Sequence, residues 1–167
     1  MKPIRLHRAA MLLAAAAALG ACQSPQLRYV IKDKLNPDPS DVATELAVMP
    51  FFFKGDGKAS FENEGYEALK QEFENSSSPE GRKRGTMLFI PVPGERVPGD
   101  GTGADLTAKP AGTLTISVPD GDFTWLGLVG NFYEKQDQQW RLAVPLSELG
   151  NHELIIAGHA FAEWRQR

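Results

Sequence analysis

Apolar positions fall into two regimes along this chain. Residues 9–19 form one unbroken apolar run, whereas beyond residue 26 apolar and polar positions interleave. Leu27, Tyr29 and Ile31 alternate with Arg28, Val30 and Lys32, the period-two pattern of a half-buried strand over residues 27–32. Pro37 and Pro39, set among Asn36, Asp38, Ser40 and Asp41, cannot continue a ladder and predict a stop. A second strand is predicted over residues 45–53, ending in Phe51-Phe52-Phe53. Three adjacent phenylalanines point to both faces of a strand, so one face covers the core and the other lies under a further element. Pro50 predicts an edge position or a bulge. After the Lys54–Lys58 loop, Ser60 is placed to cap one helix reaching about Glu74, with Phe61, Tyr66, Leu69 and Phe73 on one face. Gly65 weakens that helix by about 1 kcal/mol relative to alanine.

The remainder reads as short strands. Residues 80–85 form a charged connector whose Arg82-Lys83-Arg84 triplet reads more readily as a solvated loop or strand edge than as a binding motif. A strand is predicted over 86–92. Residues 93–112 are dense in Gly and Pro, with 104–108 able to pair briefly. Further strands are predicted over 113–118, 124–132, 139–145, 152–156 and 160–164. Seven or eight strands at intervals of about 8–12 residues, with a helix inserted after the second, predict a mainly β, two-sheet sandwich.

The first regime is an export signal in layout. Lys2, Arg5 and Arg8 precede the apolar run, and Leu19-Gly20-Ala21 stands before Cys22, the one cysteine of the chain. Eleven apolar residues are too few to span a bilayer, which takes about 20. An ordinary signal-peptidase site with a free thiol downstream is the plain alternative. Leu-Gly-Ala-Cys, however, resembles the lipobox of bacterial lipoproteins, in which the thiol receives a diacylglycerol, cleavage precedes the cysteine and the new amine is acylated. Each buried methylene contributes about 0.8 kcal/mol and two or more chains hold stably, so acylated Cys22 is a durable anchor. Gln23 stands where inner-membrane lipoproteins commonly have Asp, which by the same resemblance implies the periplasmic face of the outer membrane. The expected division is signal peptide 1–21, lipidated tether 22–26 and sandwich domain 27–167.

Composition narrows the function classes. Without Lys2, Arg5 and Arg8 the chain has 15 basic and 21 acidic residues, a balance of −6 that disfavours nucleic acid and anionic lipid as partners. A single cysteine excludes an internal disulfide. Catalysis finds little material: beyond the leader there are two histidines, His152 and His159, seven apart, and no Gly-x-Ser-x-Gly elbow. No metal site and no cofactor are expected. Asp100-Gly101-Thr102-Gly103-Ala104-Asp105 is one fragment of a calcium-repeat pattern without repeats. Asp120/Asp122 and Glu62/Glu64 fit turn and helix-start chemistry better than glycosidase carboxylates. Trp125, Trp140 and Trp164 could form a sugar-stacking platform, but their alternating strand positions favour the core for the first two.

The order of features completes a pattern. The lipobox, a first strand, Leu35-Asn36-Pro37-Asp38, an apolar second strand, Phe61-Glu62-Asn63 leading to Tyr66 and Ala68-Leu69, Trp125 to Phe132, and Trp140-Arg141 before Val144-Pro145-Leu146 together resemble the TssJ family, the outer-membrane lipoprotein of the type VI secretion system. Two stretches depart from it: the long Gly/Pro segment 91–112 and the tail 149–167. The resemblance implies a transthyretin-like β-sandwich with a short helical insertion, no catalysis, and a scaffolding role. It implies binding to the periplasmic C-terminal region of TssM, and through it association with TssL. The contact falls by this resemblance on the loop between the first two strands, residues 32–41, with Asp33, Lys34, Leu35, Asn36, Pro37, Asp38 and Pro39 as binding residues. The residues alone describe a stiff loop presenting mixed charge around an apolar Leu35. The competing reading is a periplasm-facing lipoprotein that binds a carbohydrate or another ligand, which needs several tryptophan rings open to solvent in one plane.

Overall fold

A computed structural model describes residues 24–75, 79, 81–97, 106–135 and 137–167. Cys22, the signal segment and the Asp100–Asp105 fragment lie outside the described residues. Strand β1 (Gln26–Leu35) leads through a loop to β2 (Leu46–Phe53). Helices α1 (Gly57–Asn63) and α2 (Tyr66–Asn75) follow. Then come β3 (Arg82–Arg84), β4 (Leu88–Ile90), the short pair β5 (Arg96–Val97) and β6 (Leu106–Thr107), β7 (Ala111–Thr115), β8 (Trp125–Gly130), β9 (Arg141–Pro145), β10 (His152–Gly158) and β11 (Ala160–Gln166). One sheet has the order β11-β10-β1-β7, with β1 and β10 parallel; the other has β3 and β4 beside β2, then β8 and β9.

Alternation places the core between the sheets. Leu27, Tyr29 and Ile31 of β1 and Leu154 and Ile156 of β10 are buried, and Leu126, Leu128 and Val144 belong to the same cluster. The phenylalanine triplet divides as its period requires. Phe52 packs on Phe123, whereas Phe51 and Phe53 meet Phe61 of α1, and Phe51 also meets Phe73 of α2. The helices are thus a third layer over the second sheet. Gly127, opposite Phe51, has no side chain because a Cβ there would stand 2.7 Å from the Phe61 ring.

Three local expectations change. Pro50 is not on an edge: β2 pairs with β8 along its length. On its other side β2 pairs with β4 through Leu46–Val48 and with β3 through Phe51–Phe53, and Pro50 falls at the break between them, accepting from Gly85 N–H at 2.7 Å. The missing proline donor therefore faces an interrupted partner. The single helix capped by Ser60 is two helices, beginning after Asp56. Glu64 turns extended (ψ 146°), and Arg141 of β9 donates to the carbonyls of Phe61 (3.2 Å) and Glu64, satisfying the end of α1 from across the sheet. Finally, Lys32 to Leu35 belong to β1, so the loop between the first two strands runs 36–45.

Candidate functional site

The registers place three connections at one end of the sandwich: loop 36–45, the β8–β9 turn at 131–140, and the β10–β11 turn at His159. The start of β1, where the tether joins, is at the other end.

Asn36 organises the loop. It is 2% exposed and sits at φ +43°, a left-handed conformation that asparagine tolerates better than most residues. Its amide nitrogen donates to Thr44 Oγ1 (3.1 Å) and the Glu45 carbonyl (3.3 Å), while its Oδ1 accepts from Tyr133 N–H (2.9 Å). Its own N–H donates to the Gly158 carbonyl at 3.0 Å. One buried residue thus ties all three connections together, the loop and the β8–β9 turn through its side chain and β10 through its backbone N–H. Asp38 does the same for the tip, its Oδ1 accepting from the N–H groups of Ser40 and Val42, both at 2.9 Å. Such side-chain-to-backbone bonds replace the ladder that the prolines forbid. Lys34 pairs with Asp41, and His159 Nε2–H donates to the Pro37 carbonyl at 2.6 Å, with Nδ1 3.8 Å from the Glu134 carboxylate.

The expected binding residues separate into two groups. Asp33, Lys34 and Pro39 are exposed, and Pro37 and Asp38 partly so. Leu35 and Asn36 are buried, Leu35 completely, so a partner does not meet an apolar Leu35. The large apolar side chains that the loop and the β8–β9 turn present are Val42 (58% exposed) and Tyr133 (56%), with Phe89 (52%) paired to Ala47 at the same end of β2. Beyond Asn36 the surface continues into a depression of about 480 Å³ lined by Ala47, Phe132, Tyr133 and Lys135.

No family model and no curated protein matches the chain. Solved structures do. The T6SS lipoprotein TssJ1 from Pseudomonas aeruginosa superposes with TM-score 0.56 at 15% identity, over 87% of this chain and 96% of that one. Serratia marcescens Lip, a membrane-bound component of the type VI secretion system, gives 0.53 at 10% identity over 85% and 95%. A chain of the structure described as the T6SS protein TssM C-terminal domain (869–1107) from EAEC gives 0.53 at 15% identity over 87% and 98%. The fold is TssJ-like. At these identities the likeness is one of architecture, and it agrees with the two-sheet sandwich and helical insertion expected from the pattern.

Within this TssJ-like fold the rival sites are dispersed. Trp140 is 6% exposed and packs edge-on against Tyr66. Trp125 lies under the Lys58 ammonium on one sheet, and Trp164 stacks on His152 and donates to Glu148 on the other. The three rings share no plane open to solvent. His152 and His159 stand at opposite ends of β10, each near one carboxylate, Glu148 and Glu134 respectively, at 3.8 Å. Among the described residues no three His, Cys, Asp or Glu gather in metal-binding range. The basic triplet is a strand edge, as its sequence suggests, yet Arg82 is buried. Its guanidinium meets Glu64 Oε2 at 2.7 Å and Glu72 Oε2 at 2.8 Å. The tie from Asn36 to Tyr133 spans 97 residues and the pair of Arg82 with Glu72 spans 10, so local patterning showed neither the role of Tyr133 nor the burial of Arg82.

Proposed function

We propose that this protein is a non-enzymatic scaffold of a type VI secretion membrane complex. Acylated Cys22 holds it to the periplasmic face of the outer membrane, and the β1–β2 loop binds the periplasmic C-terminal region of TssM, linking it indirectly to TssL. The observation that carries this reading is the placement of tether and loop on opposite ends of one strand. The ten residues of β1 span roughly 30 Å, so a loop that follows β1 faces away from the membrane into which a lipid on Cys22 inserts. The TssJ-like fold supports the same assignment.

The test uses the full chain purified in detergent from membranes. Metabolic labelling with palmitate and mass spectrometry of the mature amino terminus check the anchor, with Cys22→Ser as the control that loses label and membrane association. Biolayer interferometry against the periplasmic C-terminal fragment of the cognate TssM checks the partner. Saturable binding by the parent, weakened in a folded Val42→Ser variant, supports the assignment. Absence of binding by the folded parent sinks the scaffolding role, and binding indifferent to Val42→Ser moves the contact off the loop tip.

A further inference from the structure

The β1–β2 loop is fused to a second segment. Asn36 accepts from the Tyr133 backbone with the same side chain that closes the loop, and His159 stands between the Pro37 carbonyl and the Glu134 carboxylate. Four large hydrophobic side chains are exposed among the described residues, and two of them, Val42 and Tyr133, are on these two joined segments. Isolated exposed apolar residues need no explanation, but here Tyr133 lines a depression walled on its other side by Asn36, Thr44 and Glu45 of the loop that carries Val42.

Charge gives the pair a setting. Loop 36–45 contains Asp38, Asp41 and Glu45 and no basic residue, and the turn 131–138 contains Glu134 and Asp137 against Lys135. The local cations are committed to internal contacts. Lys34 pairs with Asp41, while Lys135 donates to the Phe132 carbonyl (3.0 Å) and lies 4.0 Å from the Tyr66 ring centre. Five carboxylates against Lys34 and Lys135 leave a balance of −3 around Val42 and Tyr133, half of the acidic excess of −6 beyond the leader.

We infer that this end of the sandwich is a two-segment docking surface, in which Tyr133 of the β8–β9 turn joins Val42 of the loop as an apolar anchor inside an acidic border. Its occupant is a folded protein domain presenting an apolar patch bordered by Lys and Arg. This rests on the scaffolding role proposed above and adds the second segment and the charge of the partner. Asn36 is a positioning residue: it meets no partner itself but holds both segments in register, so little freedom is lost on docking. The acidic border speeds encounter, and the aromatic anchor slows release.

The experiment measures kon and koff for the full acylated chain in detergent against the periplasmic C-terminal fragment of the cognate TssM. Tyr133→Ser, at an exposed position, is expected to raise koff roughly tenfold or more with kon little changed. Asp137→Asn combined with Glu134→Gln is expected to lower kon and flatten its fall between about 0.05 and 0.5 M salt. Asn36→Gly keeps the backbone conformation and removes the tie; it is expected to speed amide exchange at Tyr133 and weaken binding. Val118→Ser, an exposed apolar position at the tether end, is expected to bind like the parent. Parent binding with Tyr133→Ser within about twofold of it overturns the two-segment surface and leaves the scaffolding role standing. A kon insensitive to salt and to the charge variant overturns the basic-bordered partner. Faster exchange at Tyr133 with unchanged affinity in Asn36→Gly overturns the positioning role. A folded parent that fails to bind removes the scaffolding role and this surface with it.

Discussion

Replacing Arg82 by methionine removes the cation from a deeply buried ion pair and leaves its carboxylate partner in place. The Arg82 side chain is 4% exposed and that of Glu72 7%, with Oε2 of Glu72 at 2.8 Å from the guanidinium. Glu64 contributes a second contact at 2.7 Å but is 30% exposed, so water recovers part of what it loses. The other guanidinium nitrogen donates to Ser60 Oγ at 3.1 Å, and the group lies over the Phe61 ring. Arg82 thus fastens both helices to β3. Breaking a buried pair from one side costs about 3–5 kcal/mol, a large share of the roughly 5–15 kcal/mol that holds a domain of this size. Arg82→Met is expected to cost about that much in urea denaturation followed by tryptophan fluorescence, and to lower Tm by roughly 10 °C. Arg82→Met with Glu72→Leu replaces the pair by apolar groups, and is expected to recover most of the loss. Arg82 pairs with Phe53, at the end of β2 remote from the loop, so folded variants should keep partner binding. A cost below about 1 kcal/mol for the single variant, or no recovery in the double, would refute the claim that this buried pair fastens the helices.

Two further perturbations test the packing. Gly127→Ala drives a methyl to 2.7 Å from the Phe61 ring and 2.9 Å from Phe53, and is expected to cost about 1–3 kcal/mol by thermal denaturation; a neutral outcome means that the helix layer yields freely. Burial, reinforced by Glu67 and Glu74, pushes the Tyr66 phenol up to about 12, and its O–H donates to Asn131 Oδ1 at 2.6 Å. Because the folded state holds this proton more tightly than the unfolded chain, the contribution is complete below about pH 10 and is lost as pH rises toward about 12, by at most about 3 kcal/mol. Tyr66→Phe is expected to lose about 1 kcal/mol at neutral pH through the missing hydrogen bond and to lack this alkaline limb; a wild-type-minus-variant difference that stays flat between about pH 9 and pH 12 contradicts the assignment.

The sheets were legible because their signal is local. Alternation at Leu27, Tyr29 and Ile31 needs only a strand and a dry side, and the phenylalanine triplet announced a covering layer. What failed depended on distant partners. Ser60 looked like a cap, but the helix starts earlier and its hydroxyl serves Glu64 and Arg82; the break at Glu64 is satisfied by Arg141, some 80 residues away. Pro50 suited an edge on sequence, and the structure places it inside a sheet by breaking the neighbouring strand instead. At the candidate site, Pro37, Asp38 and Pro39 marked the loop. Leu35 could not be known to be buried, since β1 extends to it beyond the last alternating residue, and Tyr133 gave no sign that a distant asparagine holds its backbone.

The path of force through the molecule follows from β1. In the proposed assembly, tension enters at the lipid on Cys22 and leaves through the loop, and both lie on the same strand. A strand already rises about 3.3–3.4 Å per residue against a ceiling of about 3.3–3.6 Å, so β1 is near full extension before any load is applied. Tension along it is borne by the covalent backbone and neither peels nor shears its ladders to β10 and β7. A load entering at Tyr133 has a different route, through the Asn36 side chain or across β8 and β2. In single-molecule pulling of a Cys22→Ser chain, handles at Ser24 and Pro37 are expected to give no unfolding step and a length gain below about 10 Å. Handles at Ser24 and Arg167 are expected to unfold the domain with a release of hundreds of ångströms, on the order of 500 Å. Thirteen links cap the span between the first pair at about 47 Å, so the refuting result is a discrete rupture step at that pair under load, which would mean that the ladders of β1 are loaded and that the tether and the loop do not share one continuous strand under tension.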